Sequence, residues 1–172
     1  MIYYAGIGSR QTPREIIELF KRVARYLAGE GLVLRSGSAE GADTAFEIGC
    51  DSAGGKKEIY LPWKGFGDST SKLFTQSKEA IEIAKKYHPQ WSILSQGAKK
   101  LQSRNVMQVL GQDLKTPSRF IICWTKDGEG RGGTGQALRI AKDYDIPIFD
   151  CGNFNDINEC RRELKKFIDK YI

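Results

Sequence analysis

Short apolar runs and longer stretches of helical period take turns along this sequence. Residues 1–7 read as a strand that ends in Gly6-Ile7-Gly8-Ser9-Arg10. Thr12-Pro13-Arg14-Glu15 then has the form of a capping box with proline at the first helical position. Ile16, Ile17, Phe20, Val23, Ala24 and Leu27 follow at the spacing of one helix face, and Gly29 or Gly31 stops the helix. A second strand is predicted at 32–35, running into Ser36-Gly37-Ser38-Ala39-Glu40-Gly41-Ala42-Asp43 and a short helix through Ile48. A third is predicted at 58–61, closed by Pro62-Trp63-Lys64-Gly65-Phe66-Gly67. The pattern then predicts helices over 71–86 and 98–114, broken at His88-Pro89-Gln90-Trp91. The apolar run Phe120-Ile121-Ile122-Cys123-Trp124 is the fourth strand. After it come a glycine-rich loop, a helix from Ala137 to Tyr144, a fifth strand at 146–149 and a last helix from about Asn155 to Ile172.

Strands alternating with helices imply a parallel sheet covered on both faces. The expectation is an α/β fold: one Rossmann-like domain over residues 1–172, a mainly parallel five-stranded sheet with helices on both faces. In such sheets a ligand lies beyond the carboxyl ends of the strands. The loops after the first four strands are the polar, glycine-rich ones, which places the candidate chemistry at that end.

Composition narrows the class. Hydrophobic residues make up 40% and charged residues 28% of the chain, ordinary for a globular protein. No apolar run approaches the roughly 20 residues that span a bilayer, and the N-terminus lacks a signal peptide's pattern, so a cytoplasmic protein without membrane partners is expected. Cys50, Cys123, Cys151 and Cys160 form no CxxC pair and His88 is the one histidine, so no metal site is expected and the thiols are expected to be free. A net charge of +6 suits an anionic partner. There is no basic tail and no aromatic–basic track along the sequence, which points to weak or no nucleic-acid binding.

The strongest chemical signal is Arg131-Gly132-Gly133-Thr134-Gly135-Gln136 between a strand and a helix. A helix N-terminus presents unpaired N–H groups and a partial positive charge, and glycines let a phosphate approach the backbone. Gly8, Ser9 and Arg10 after the first strand offer a second anion-binding turn. That turn begins like GxGxxG but lacks the third glycine, and no GxxxxGK[ST] occurs, so neither a dinucleotide fingerprint nor a P-loop is present and no cofactor is expected. After the second strand, Ser36, Gly37 and Ser38 precede Asp43 and Glu47. These two acids are four apart on one helix face and either bind ribose hydroxyls, do acid–base work or complement the helix end. Trp63, Phe66 and Trp91 fall in loops, where they stack on a base or pack beneath the loop.

Gly6-Ile7-Gly8-Ser9-Arg10, the SGxAxGxD-like run from Ser36 to Asp43, Ser103-Arg104-Asn105 and Gly132-Gly133-Thr134-Gly135, in that order, resemble the SLOG superfamily, the Rossmann-like group that includes the DprA and LOG families. The likeness is closest to small DprA-like proteins of phages and bacteria. It implies nucleotide or phosphoribose contacts from Gly8, Ser9, Ser36, Gly37, Arg104, Gly133, Thr134 and Gly135, to which Arg10, Ser38, Asp43, Asn105 and Gly132 are added as ligand-binding candidates. LOG enzymes carry a catalytic glutamate three positions after GGxGT, whereas Arg139 stands there in this chain and Gln136 replaces the threonine. Binding of a small nucleotide-derived signal of ADP-ribose type, without turnover, is therefore expected. The role implied is a sensor or, in a phage, an anti-defence sponge, acting as a homo-oligomer. Two alternatives stay open: an N-glycoside hydrolase using Asp43 or Glu47, and a single-stranded-DNA-binding protein like DprA.

Overall fold

The computed structural model describes residues 1–172. Five strands, β1 (Tyr3–Gly6), β2 (Val33–Ser36), β3 (Lys57–Ile59), β4 (Ile121–Cys123) and β5 (Ile148–Asp150), form one all-parallel sheet in the order β3-β2-β1-β4-β5. The predicted α/β class, strand number and parallel pairing are those observed. The chain leaves the central β1 toward one edge through β2 and β3, then returns to β1's other side as β4. The change of direction puts the switch point between the carboxyl ends of β1 and β4.

Side chains alternate across the strands and so feed two cores. Tyr4 and Ile122 pack with α1 (Arg14–Gly29), α2 (Ala42–Ser52) and α6 (Ile157–Tyr171) on one face. Ala5, Ile121 and Cys123 pack with α3 (Lys78–Tyr87), α4 (Gln96–Leu110) and α5 (Gly133–Asp143) on the other. No helix is long and apolar enough to cross a membrane.

Several predicted boundaries shift because tertiary contacts outbid local pattern. The helix expected over 71–86 begins only at Lys78. Ahead of it the chain is extended and tied to the sheet's edge: the Ser71 hydroxyl donates to the Ile59 carbonyl (2.5 Å), Leu61 N–H to the Leu73 carbonyl (2.8 Å), and Gln76 Nε2 to the Leu61 carbonyl (2.9 Å). Ser77 then caps α3 by accepting from Ala80 N–H. The capping box before α1 does not form, since the Thr12 hydroxyl donates to the Ser9 carbonyl at 2.6 Å and Pro13 holds the N-cap position. The cap of α6 is Asp156, one residue after the Asn155 expected.

One buried cation belongs to the fold. Arg35, 1% exposed on β2, donates to Glu58 (2.9 Å), to the Thr116 carbonyl (2.6 Å) and to the Ser118 hydroxyl (3.2 Å), and stacks over the Tyr3 ring. It ties β2 and β3 to the segment that leads into β4.

Candidate functional site

Because β1 and β4 are neighbours, the loops leaving them face each other across a cleft of about 460 Å³. Gly8, Ser9 and Arg10 line one wall, and Gly132, Gly133 and Thr134 the other. Asp43 of α2 and Arg104 and Asn105 of α4 complete the set of sequence-predicted residues that the fold brings together.

The wall made by the glycine loop is anchored at its root. Asp150 at the end of β5 accepts from the Thr125 hydroxyl, and its Oδ1 accepts from the Thr125 and Gly152 N–H groups at 2.9 Å. Thr125 Oγ1 in turn accepts from Gly130 N–H at 3.0 Å. Gly135 is needed where it stands, because a Cβ there would lie 2.3 Å from the Gly130 carbonyl oxygen. α5 therefore starts at Gly133 with its first N–H groups and the positive end of its dipole directed at the cleft, a ready anion site. The exposed side chains of Arg10 and Arg131 stand at the rim.

The opposite floor comes from α4, whose last two turns are buried on all sides. Arg104 is 4% exposed and spends most of its donors on the protein. Its Nη1 donates to the carbonyls of Gly37 and Tyr60, each at 2.7 Å, and its Nε to Asn105 Oδ1 at 2.8 Å. Its ring neighbour is Phe66, at 5.3 Å. Burial and the Arg10 charge lower its affinity for its proton, while Asp43 opposes them. Asn105 passes the link on, its Nδ2 donating to the Gly133 carbonyl.

Asp43, 4% exposed, accepts from Ala39 N–H at 3.3 Å. Burial pushes its carboxyl up to about 6, against the pull of Arg104 and of the Ala39 and Gly8 amides. A carboxyl poised near neutrality inside a cleft is the kind of group that functional sites carry.

Other predicted residues lie outside the cleft lining. The Ser36 hydroxyl is buried and donates to the Gly6 carbonyl at 2.6 Å, locking β2 to β1. Gly37 lies behind the floor, against Arg104 and Gln108. Ser38, with φ of 61°, and Glu47 line a separate shallow depression, and Glu47 is paired with Lys57 at 2.7 Å. Gly135 packs on its own loop. Gln136 and Arg139 turn toward α3, where Gln136 Nε2 donates to the Ala84 carbonyl (2.9 Å) and Arg139 Nε to the Tyr87 carbonyl (3.1 Å). The arginine that replaces the LOG glutamate thus stands away from the cleft.

The structure adds Gln11, Leu101, Gln102 and Gln108 to the lining, and gives Ala39 and Arg131, named above only as members of motifs, a place in it. Gln108 had a visible signal, a lone amide inside Val106-Met107-Gln108-Val109-Leu110. The structure also assembles an aromatic–basic groove of about 520 Å³, lined by Trp63, Phe74, Trp91, Lys64, Lys99 and Lys100 among others and by no acid. The sequence showed no such track because its members come from three separate segments.

No protein-family model matches the sequence, and no curated protein matches it. Solved structures do. DNA processing protein A of Helicobacter pylori, described for its single-stranded DNA binding mode, superposes with a TM-score of 0.56 at 17% identity, over 99% of this chain and 82% of that one. DprA of Streptococcus pneumoniae gives 0.55 at 21%, over 87% of this chain and 50% of that one, so the chain spans half of that relative's length. The Moco carrier protein of Chlamydomonas reinhardtii gives 0.54 at 15%, over 88% and 75%. At these identities the likeness is one of architecture: the chain shares the Rossmann-like α/β fold of these proteins.

Proposed function

We propose that this chain is a binding protein for a small nucleotide-derived ligand of ADP-ribose type, held by its phosphates at the N-terminus of α5. The observation that carries the reading is convergence: one cleft gathers the free start of α5, Arg10, Arg104 and Arg131 around a single acid, Asp43. Gly8, Ser9, Gly132, Gly133 and Thr134 supply backbone and hydroxyl donors, and Asn105 ties the glycine-loop wall to the α4 floor. Ser36, Gly37, Ser38 and Gly135 act at one remove, by shaping the loops. The role in this reading is sensing or sequestering a signal in the cytoplasm, as a homo-oligomer of one-domain chains. In a phage, the role that the SLOG resemblance implies is an anti-defence sponge. Isothermal titration with ADP-ribose, AMP and pyrophosphate tests it. One site per chain, weakened at least about tenfold by Arg10→Glu, is expected from the loss and reversal of a charge at the rim. No heat with any of the three ligands at millimolar concentration sinks the reading.

A second reading is favoured by the raised Asp43 carboxyl. A group near 6 in a cleft can give a proton to a leaving base, so N-glycoside hydrolysis rests on Asp43 alone, with Glu47 committed to Lys57. Chromatography of ADP-ribose after long incubation separates the two. Unchanged ligand supports binding; free product that disappears with Asp43→Asn makes the protein an enzyme.

A further inference from the structure

The deep end of the cleft carries polar groups that the fold leaves without partners. Gln108 is 2% exposed and lines the cleft, yet its carboxamide makes no hydrogen bond within the protein. Gln102, six residues earlier on the same helix, has a fully enclosed Oε1 that is likewise unpaired. Arg104 uses Nε and Nη1 on protein acceptors and leaves Nη2 without one. Asp43 makes no ion pair with it; one carboxyl oxygen is occupied by Ala39 N–H, and the Gly8 amide also draws on the carboxylate. Amide and guanidinium sit side by side: a Cβ on Gly37 would lie 2.4 Å from Gln108 Nε2 and 2.7 Å from Arg104 Cζ. Of these, only Gln102 Oε1 is fully enclosed; the other unpaired atoms keep surface open to the cleft, where an incoming group can meet them.

The chemistry of that something is constrained. The carboxylate accepts, the guanidinium edge donates, and the carboxamide does both. The apolar lining is Ile7, Ala39, Leu101 and Ala137, with no aromatic ring on which a base would stack. Two adjacent hydroxyls fit this set, because each gives one proton and accepts another.

We propose that Asp43, Arg104 and Gln108 form a subsite for the vicinal hydroxyls of a ribose, so that the cleft selects ribose phosphates over their 2-deoxy counterparts. The inference rests on the reading that the cleft takes a nucleotide-derived phosphate. It adds what stands next to that phosphate, and it separates the ligand from any part of DNA.

The experiment is calorimetric binding of two matched pairs, AMP with 2′-deoxy-AMP and ribose 5-phosphate with 2-deoxyribose 5-phosphate, with pyrophosphate as the reference anion. The ribo member of each pair is expected to bind at least about tenfold more tightly, the scale of one hydrogen bond to a charged group. Gln108→Leu, checked for its fold by thermal melting, is expected to narrow that ratio to below about threefold and to leave pyrophosphate binding unchanged. Equal affinity within the pairs on the wild-type chain, with pyrophosphate bound, overturns the subsite and leaves the phosphate reading standing. A full ratio retained in Gln108→Leu overturns the assignment as well. Failure of pyrophosphate and all four sugar phosphates to bind removes the phosphate reading, and the subsite with it.

Discussion

Asn105 Nδ2 donates to the carbonyl of Gly133 at 3.1 Å, while its Oδ1 receives Arg104 Nε at 2.8 Å. One side chain on α4 thus joins the first turn of α5 to the arginine that holds the loop after β2. Three of the four segments that resemble SLOG motifs are mechanically connected through these two residues, which predicts that damage at either spreads across the cleft.

Arg104→Ala leaves the Gly37 and Tyr60 carbonyls unpaired in the interior. A cost of roughly 2–4 kcal/mol is expected, from two buried acceptors stranded at once. Lys100→Ala, on the exposed side of the same helix, is expected within about 0.5 kcal/mol of wild type. Urea denaturation measures both. The guanidinium therefore supports the cleft as well as lining it. Equal midpoints for the two variants would return Arg104 to the role of a ligand contact only.

Gly133 and Gly135 are neighbours in one glycine motif with different reasons to be glycine. A Cβ on Gly133 meets nothing within 4 Å, whereas one on Gly135 lies 2.3 Å from the Gly130 carbonyl oxygen. Gly135→Ala is expected to destabilise the protein by roughly 1–3 kcal/mol, the range for overpacking against fixed backbone. Gly133→Ala is expected to fold like wild type. Should it also weaken pyrophosphate binding, the cause is crowding of an anion at the helix start. Thermal melts of both, followed by titration of Gly133→Ala, decide it.

The fold was legible in this sequence because the strands are short apolar runs alternating with helical stretches, the first two closed by Gly6 and Ser36, and the β1 and β4 loops carry their chemistry in consecutive residues. α4 was not legible in the same way. Its buried stretch from Ser103 to Leu110 faces the core on all sides, so no amphipathic stripe marks which residues look into the cleft. Residues 71–77 misled for another reason: their helical composition is overruled by backbone pairing of Leu61 with Leu73, a contact between segments that local pattern does not report. Ser36 and Glu47 are of the right chemical type, but their side chains are already engaged, by the Gly6 carbonyl and by Lys57.

Asp43 should leave a mark on the pH dependence of stability. Its carboxyl is raised from 3.8 to about 6, so the folded state holds the proton more tightly than the unfolded state. Between those two values the native chain binds more protons, and stability falls as pH rises through the window. The group is fully buried, and the shift corresponds to an unfavourable contribution of about 3 kcal/mol above pH 6 that is absent below pH 4. Asp43→Asn removes the titration. The melting temperature of the variant relative to wild type is therefore expected to climb from pH 4 to pH 7. A constant difference across that range would mean that Asp43 titrates alike in both states.

The groove lined by Trp63, Trp91, Lys64, Lys99 and Lys100 is the aromatic–basic surface on which a single strand would lie. Three lysines neutralising three phosphates of a single strand give a slope of about −2 in log affinity against log salt. Oligothymidylate, followed by tryptophan fluorescence, is expected to bind weakly at physiological ionic strength, with a slope no steeper than that. Tight, length-dependent binding would favour the single-stranded-DNA reading over the small ligand.

The strand order has a consequence for the chain as it is made. β1 pairs with β2 within the first 36 residues, yet its other edge waits for β4, where Ala5 meets Ile121. On a ribosome adding about 5–20 residues per second, that edge stands open for roughly 5–20 s. Over this interval the β1–β2–β3 half offers a bare row of amides and carbonyls to any other strand, including that of a nascent neighbour. The cleft has no second wall until the same moment, so no ligand can protect the half-built sheet.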